Sequence, residues 1–370
     1  MVPLRSAESN DKHASYLMLP VPDSAATVAA MTTIPSHPAH LGSGLRRRRA
    51  AVAAATLAAL VGLLAGCSSD DNATTTTTTA SAGGDEATAQ ETAPRTVEHA
   101  MGSTEVPGSP TRVVVLDSSM LDSAVALGVV PVGATEGLAG SGLPEYLGDE
   151  VLDRVELVGL TESPNLEAVA ALQPDVIMGA KVRHEAIYAQ LSQIAPTVFS
   201  ESSGTDWKSQ VRLTGEALGR SDDAEALLTA FDERARQVGE TIGAEGTTAT
   251  IVRFIPGQIR LYGPATFSGS VLDAVGFDLG DKGYDPNYGM AVISAEQIDM
   301  ADADVLFATN PSEESDGQIQ SDRDALGSRW DNLTAVKEGR QFDIADMTWM
   351  TGIGVLGANR ILDDLEQRLG

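Results

Sequence analysis

The chain has 370 residues, 42% of them hydrophobic, with 25 Lys and Arg against 52 Asp and Glu and a formal net charge of −27. That length and composition support one or two buried cores and exclude a chain disordered throughout. The acidity excludes nucleic acid as a partner, because binding it needs a basic face. The single cysteine excludes internal disulfides and multi-cysteine metal chemistry.

Four arginines, Arg46 to Arg49, precede the apolar run AAVAAATLAALVGLLAG at 50–66 and then Cys67. A basic stretch, an apolar stretch and small residues before a cut make a signal peptide. The run is short and rich in Ala and Gly for a membrane span. Leu64-Ala65-Gly66-Cys67 resembles a bacterial lipobox, which implies cleavage before Cys67, a diacylglycerol on its sulfur and a place on the outer face of the cytoplasmic membrane. Residues 1–66 are therefore read as an N-terminal extension and lipoprotein signal. The start (Met1 or Met31) and the route (Sec or twin-arginine) stay open. Residues 67–94 are rich in Thr, Ser, Ala, Gly and acids with no aromatic, a flexible tether. Without the 6 cations and 3 acids of 1–66, the remainder carries 19 Lys and Arg against 49 Asp and Glu, a net of −30.

From residue 111 onward the pattern alternates. RVVVL (112–116), VVPVGA (129–134), DVIMG (175–179) and PTVF (196–199) read as strands, with helices over 118–128, 165–173 and 184–195 between them. Helices follow over 206–219 and 221–243, the second long, with Ser221 as its expected cap and Asp222 and Asp223 in its first turn. Strands restart at 249–255 and 259–263, then helices at 268–276 and 294–300, strands at 304–309 and 341–344, and helices at 331–339 and 354–369. Continuous apolar strands between helices predict parallel sheets covered on both faces. The expected fold is α/β: a lobe over 95–220, a linking helix over 221–246 and a second lobe over 247–370, with a ligand crevice between the lobes at the C-terminal ends of the strands.

Enzyme signals are missing. There is no G-x-S-x-G motif, no P-loop and no G-x-G-x-x-G, and HEAIY (184–188) fails the H-E-x-x-H zinc pattern at Tyr188. Only His99 and His184 remain beyond residue 66, so neither a zinc nor a copper cluster is expected. The chain is expected to be no enzyme, to need no cofactor and to hold no metal through its own side chains. What is present is a set of cations and aromatics at strand ends: Lys181, Arg183 and His184 after 175–179, Arg253, Arg260 and Tyr262 in the first hairpin of the second half, and Trp349 before the last helix. Guanidinium forks pair with carboxylates and other oxygen-rich anions, and Trp and Tyr offer apolar faces with a polar edge. Strand alternation leaves open that one of Arg253 and Arg260 faces solvent. His184 reads as a helix-start or surface residue, and Trp207 and Trp330 as packing.

The stretches VEHAMGSTEVPGSPTRVVVLDSSMLDSAVALGVVPVGAT (97–135), NLEAVAALQPDVIMG (165–179), LSQIAPTVF (191–199) and ISAEQIDMADADVLF (293–307) together resemble the periplasmic-binding-protein family of iron-siderophore, haem and cobalamin ABC importers. The resemblance covers about 95–370. It implies two α/β lobes on one long helix, a monomer, and delivery of a ligand bound between the lobes to a permease. Segments 179–201 and 253–277 with Trp207 and Trp349 resemble the ferric-siderophore branch, more narrowly binders of hydroxamate or citrate-hydroxamate chelators. The resemblance puts Arg183, Arg253 and Tyr262 at ligand contacts and Trp349 in the last ligand loop, and leaves the iron chelated wholly by the siderophore; Arg260 and Lys181 are ligand candidates from their own chemistry at the strand ends. It puts Glu167 and Glu296, one on each lobe, at permease contacts. Haem or cobalamin is the alternative cargo, with Tyr262 and Tyr284 as candidate axial ligands for haem. An envelope enzyme or interaction module on the same scaffold is the alternative of another class.

Overall fold

The computed structural model describes residues 93–137, 142–311 and 315–370, with backbone alone at 315–318. The signal segment 1–66, Cys67 and the tether as far as residue 92 lie outside the described residues.

The strands are β1 (Arg95–His99), β2 (Gly102–Val106), β3 (Val113–Val115), β4 (Gly133–Glu136), β5 (Glu156–Leu160), β6 (Ser163–Pro164), β7 (Val176–Ala180) and β8 (Thr197–Ser200), then β9 (Ala249–Ile255), β10 (Gln258–Tyr262), β11 (Met290–Ile293), β12 (Val305–Thr309) and β13 (Gln341–Asp343). They make a hairpin β1–β2, a six-stranded sheet in the order β6-β5-β4-β3-β7-β8, and a five-stranded sheet in the order β11-β10-β9-β12-β13. In the first sheet β5, β4, β3, β7 and β8 run parallel. In the second, β9, β12 and β13 are parallel and β10 and β11 antiparallel. Every residue of β3, β7, β8 and β12 is buried, which is why these strands read as unbroken apolar runs.

Helix Ser221–Ile242 joins the two sheets. Its N-cap is Arg220, not Ser221, and no side chain caps it; Asp222 and Asp223 face the positive end of its dipole instead. It ends at Gly243, whose φ of 67 is the left-handed conformation glycine adopts without strain. The last helix, Val355–Leu369, packs on this linking helix and also on Ser118–Ala126 of the first lobe. One apolar core accordingly runs through both lobes, from Val113, Met178 and Trp207 by way of Phe231 to Phe267, Phe307 and Ile361.

Three local readings are corrected. The expected helix 184–195 is broken into a turn at Lys181–His184, a 3-10 turn at Glu185–Ile187 and a helical turn at Tyr188–Leu191. His184 causes the break: it is 1% exposed, its Nδ1 accepts from Ala180 N at 3.2 Å, and its Nε2 lies 2.8 Å from the Thr161 carbonyl. With Nδ1 accepting, Nε2 carries the proton and donates to Thr161, so His184 is neither a surface residue nor available to a ligand. The strand expected at 129–134 sits at Gly133–Glu136, after Pro131. The helix expected at 294–300 is a 3-10 helix, Ala295–Ala301, held by a capping box of Ser294 and Gln297.

Candidate ligand-binding cleft

In both sheets the parallel strands end at the crevice between the lobes. After β3 comes Asp117, after β7 come Val182 and Arg183, and after β8 the loop Ser202–Thr205; from the other lobe come Arg253 at the end of β9 and Asp346 after β13. The crevice holds about 290 Å³ and is lined by Arg183, Arg253, Arg260 and Tyr262 together with Tyr288 and Ile353. A side chamber of about 80 Å³ adjoins it, and Arg183 lines both.

The loop that forms the first lobe's wall is pinned from behind. Gln210, 3% exposed, donates to the carbonyls of Ser202 at 2.8 Å and Thr205 at 3.1 Å, and Ser202 Oγ donates to Thr205 O at 2.7 Å. On the opposite wall, helix Phe267–Val275 turns its N-terminus toward the cleft, capped by Thr266 Oγ1, which accepts from Gly269 N at 3.2 Å.

Strand register settles how the two hairpin arginines point. Arg253 on β9 lies directly opposite Arg260 on β10, so both project from the same face, with Tyr262 two residues on. Like charges so placed repel, and a carboxylate offsets the repulsion. Arg253 Nε and Nη2 donate to Asp346 at 2.7 and 2.6 Å, and its Nη1 lies 3.3 Å from Tyr262 Oη. The two side chains are 12% and 13% exposed. Burial alone would lower the Arg253 pKa, but Asp346 and Tyr262 outweigh it and hold it above its ordinary value. Arg260 instead donates to Gln258 Oε1 at 3.1 and 2.9 Å. Among the described residues it is the cleft guanidinium without a carboxylate partner.

Arg183 is held on two sides. Its Nε lies 3.3 Å from Asp117 Oδ2, and its Nη1 pairs with Glu162. Lys181 turns away to Glu201, 2.9 Å from Nζ, and that bond raises its pKa; it does not line the crevice. Trp349 is among the residues lining the crevice, although its side chain is 0% exposed. The π-helical turn Met347–Thr351 directs its ring inward onto Phe307, 4.8 Å between centroids, while Nε1 donates to Asp364 at 2.8 Å. Trp207 and Trp330 are core residues, 2% and 3% exposed. Tyr284 donates to Leu279 O at 3.1 Å, and burial, with Asp281 and Asp278 nearby, pushes its pKa up to about 12. Glu167 and Glu296 are both exposed, each in the first turn after a capped start, at Asn165 and Ser294; the Ser294 hydroxyl lowers the Glu296 pKa.

Several cleft residues carry no sequence signal of their own. Tyr288 and Asn287 sit in the irregular stretch 278–289, and the acids Asp117, Glu162 and Asp346 look like any others in an acidic chain. Among the described residues no three His, Cys, Asp or Glu side chains are grouped to hold a metal ion.

Two α/β lobes on a single connecting helix, with guanidinium groups and tyrosines facing one crevice, define a small-molecule-binding protein. The chain belongs to the periplasmic binding protein family, whose model matches residues 113–347. It is 38% identical over 285 residues to the probable siderophore-binding lipoprotein YfiY of Bacillus subtilis, covering 74% of this chain and 86% of the relative. It is 32% identical over 267 residues to the achromobactin-binding periplasmic protein of Dickeya dadantii, covering 70% and 87%. Among solved structures, Staphylococcus aureus SirA complexed with staphyloferrin B superposes with a TM-score of 0.68 at 32% identity, covering 74% of this chain and 98% of that one.

Proposed function

We propose that this protein binds a ferric siderophore in the crevice between its lobes and hands it to the permease of an ABC importer. The observation that carries the reading is the convergence of Arg183, Arg253 and Arg260, with Tyr262 and Tyr288, on one crevice. These groups recognise the oxygen-rich outer surface of a chelate, while the chelator itself supplies the iron ligands. A guanidinium fork pairs more strongly with a carboxylate than with a neutral hydroxamate oxygen, so of the expected chelator types the citrate-bearing one matches Arg260 better. Glu167 and Glu296 are the residues proposed to meet the permease. The lipobox supports a lipid anchor at Cys67 on the outer face of the cytoplasmic membrane, and the protein is proposed to work there as a monomer.

Titration of the purified protein with Fe(3+)–citrate, Fe(3+)–staphyloferrin B and a ferric trihydroxamate, followed by tryptophan fluorescence, tests the binding. Saturable quenching at micromolar concentration is expected with at least one of them. No binding by any of the three defeats the proposal. Release of a Cys67→Ser protein from membranes tests the anchor.

A further inference from the structure

The two acids on Arg183 are not equivalent. Asp117 is 1% exposed, and its other oxygen accepts from Ser119 N at 3.2 Å and Ser119 Oγ at 2.7 Å, capping helix Ser118–Ala126. It is a built-in countercharge that cannot leave without uncapping a helix. Glu162 stands on the turn between β5 and β6 with its side chain 52% exposed. The backbone beneath it is fixed, because Thr161 Oγ1 donates to Glu136 O at 2.9 Å and Thr161 O accepts from His184. The carboxylate above that backbone can swing into water. Arg253 offers the contrast, since its fork is closed by Asp346 in a pair almost wholly out of solvent.

We propose that Glu162 is a specificity-determining residue that occupies the fork of Arg183 until an anionic arm of the ligand displaces it. The inference rests on reading the crevice as the ligand site. With Glu162 in place, Arg183, Arg253 and Arg260 face Asp117, Glu162 and Asp346, and the cleft has no net charge. With Glu162 swung out, Arg183 keeps Asp117 as its countercharge, its Nη1 is freed toward the crevice, and the cleft as a whole carries a net charge of +1. An incoming carboxylate replaces like with like and gains the site. A neutral oxygen cannot match the ion pair it would have to break. Discrimination by a competing group is a common route to specificity, and here it favours chelates with free carboxylates over neutral ones.

The test compares wild type, Glu162→Gln, Arg183→Ala and the double variant in titrations with Fe(3+)–citrate, Fe(3+)–staphyloferrin B and a neutral ferric trihydroxamate. Removing a half-exposed competing carboxylate is expected to tighten the anionic chelates about two- to fivefold at low salt. The gain shrinks at high salt, where exposed charges are screened. It vanishes on an Arg183→Ala background. The Glu162→Gln protein is expected to accept neutral chelates more readily than wild type does, and by a larger factor than anionic ones, so its ratio of affinities for anionic over neutral chelates falls below that of wild type. Glu162 is exposed, so the variant folds, and an unchanged melting curve checks that. If wild type binds an anionic chelate and Glu162→Gln binds it equally or more weakly, the inference is overturned while the cleft reading stands. If wild type binds none of the panel, the cleft reading falls and takes the inference with it.

Discussion

Asp122 gives the most specific prediction about stability. It stands on helix Ser118–Ala126, 1% exposed, and caps the last helix across the junction of the lobes. Its Oδ1 accepts from Leu356 N at 2.9 Å, and its Oδ2 accepts from Gly357 N at 2.8 Å and Tyr146 Oη at 3.1 Å. Burial pushes its pKa from 3.8 up to about 7, against the opposing pull of these hydrogen bonds. The folded protein thus holds a proton that the unfolded chain gives up near pH 4, so stability is greatest below that point and falls as pH rises toward 7. The whole displacement corresponds to about 4 kcal/mol, of which about 3 kcal/mol falls between pH 5 and 8. Asp122→Asn has no proton to lose. It also turns an amide NH₂ toward a backbone N–H, which costs about 1–3 kcal/mol at pH 5. Urea unfolding of wild type and variant at pH 5, 6, 7 and 8 gives the stability difference at each pH, and every other titrating group cancels in that difference. The advantage of wild type is expected to shrink by about 3 kcal/mol from pH 5 to 8. Parallel curves would refute the reasoning.

Four further outcomes follow from the packing. Gly239→Ala drives a methyl group into the Val275 carbonyl, where the linking helix crosses Phe267–Val275; overpacking there is expected to cost about 1–3 kcal/mol, and an unchanged melting temperature contradicts the close approach. Trp349→Phe breaks the bond to Asp364 and is expected to lose about 1–2 kcal/mol of stability while leaving ferric siderophore affinity within about twofold; a large affinity loss at full stability would return Trp349 to the ligand. Arg260→Ala is expected to weaken a citrate-bearing chelate by at least about tenfold, whereas Lys181→Ala, tied to Glu201, should change it less than about twofold; the reverse order would move the site toward Lys181. Scattering measurements on empty and loaded protein should give indistinguishable radii of gyration, and a marked contraction on loading would contradict the shared core between the lobes.

The sheet strands were legible because their burial is complete. VVV at β3, VIMGA at β7 and VLFAT at β12 have no exposed residue to interrupt the apolar run. The hairpin β1–β2 and the pair β5–β6 were not, because their exposed residues dilute the pattern to that of a loop. At the site, strand ends located the cations but could not rank them. What a guanidinium has left for a ligand depends on acids distant in sequence: Asp346 lies 93 residues from Arg253, and Glu162 lies 21 from Arg183. One acid in such a chain cannot be told from another before it is folded. Trp349 shows the same limit, since a tryptophan in an irregular segment beside the cleft has the same sequence context whether its ring faces the ligand or the core.

The waist between the lobes constrains how the cleft can work. Trp207 meets Phe231 and Phe267 edge to face at 5.2 and 5.7 Å, joining the first lobe, the linking helix and the second lobe in one aromatic cluster. The last helix then ties both lobes together through Asp122. Opening such a junction would expose buried aromatic area at several kcal/mol per side chain, far more than an exposed ion pair is worth. The energetically easier response to a ligand is therefore local. Side chains at the rim exchange partners while the lobes stay in register, and of the carboxylates on the cleft arginines, Glu162 is the one whose exposure permits that exchange.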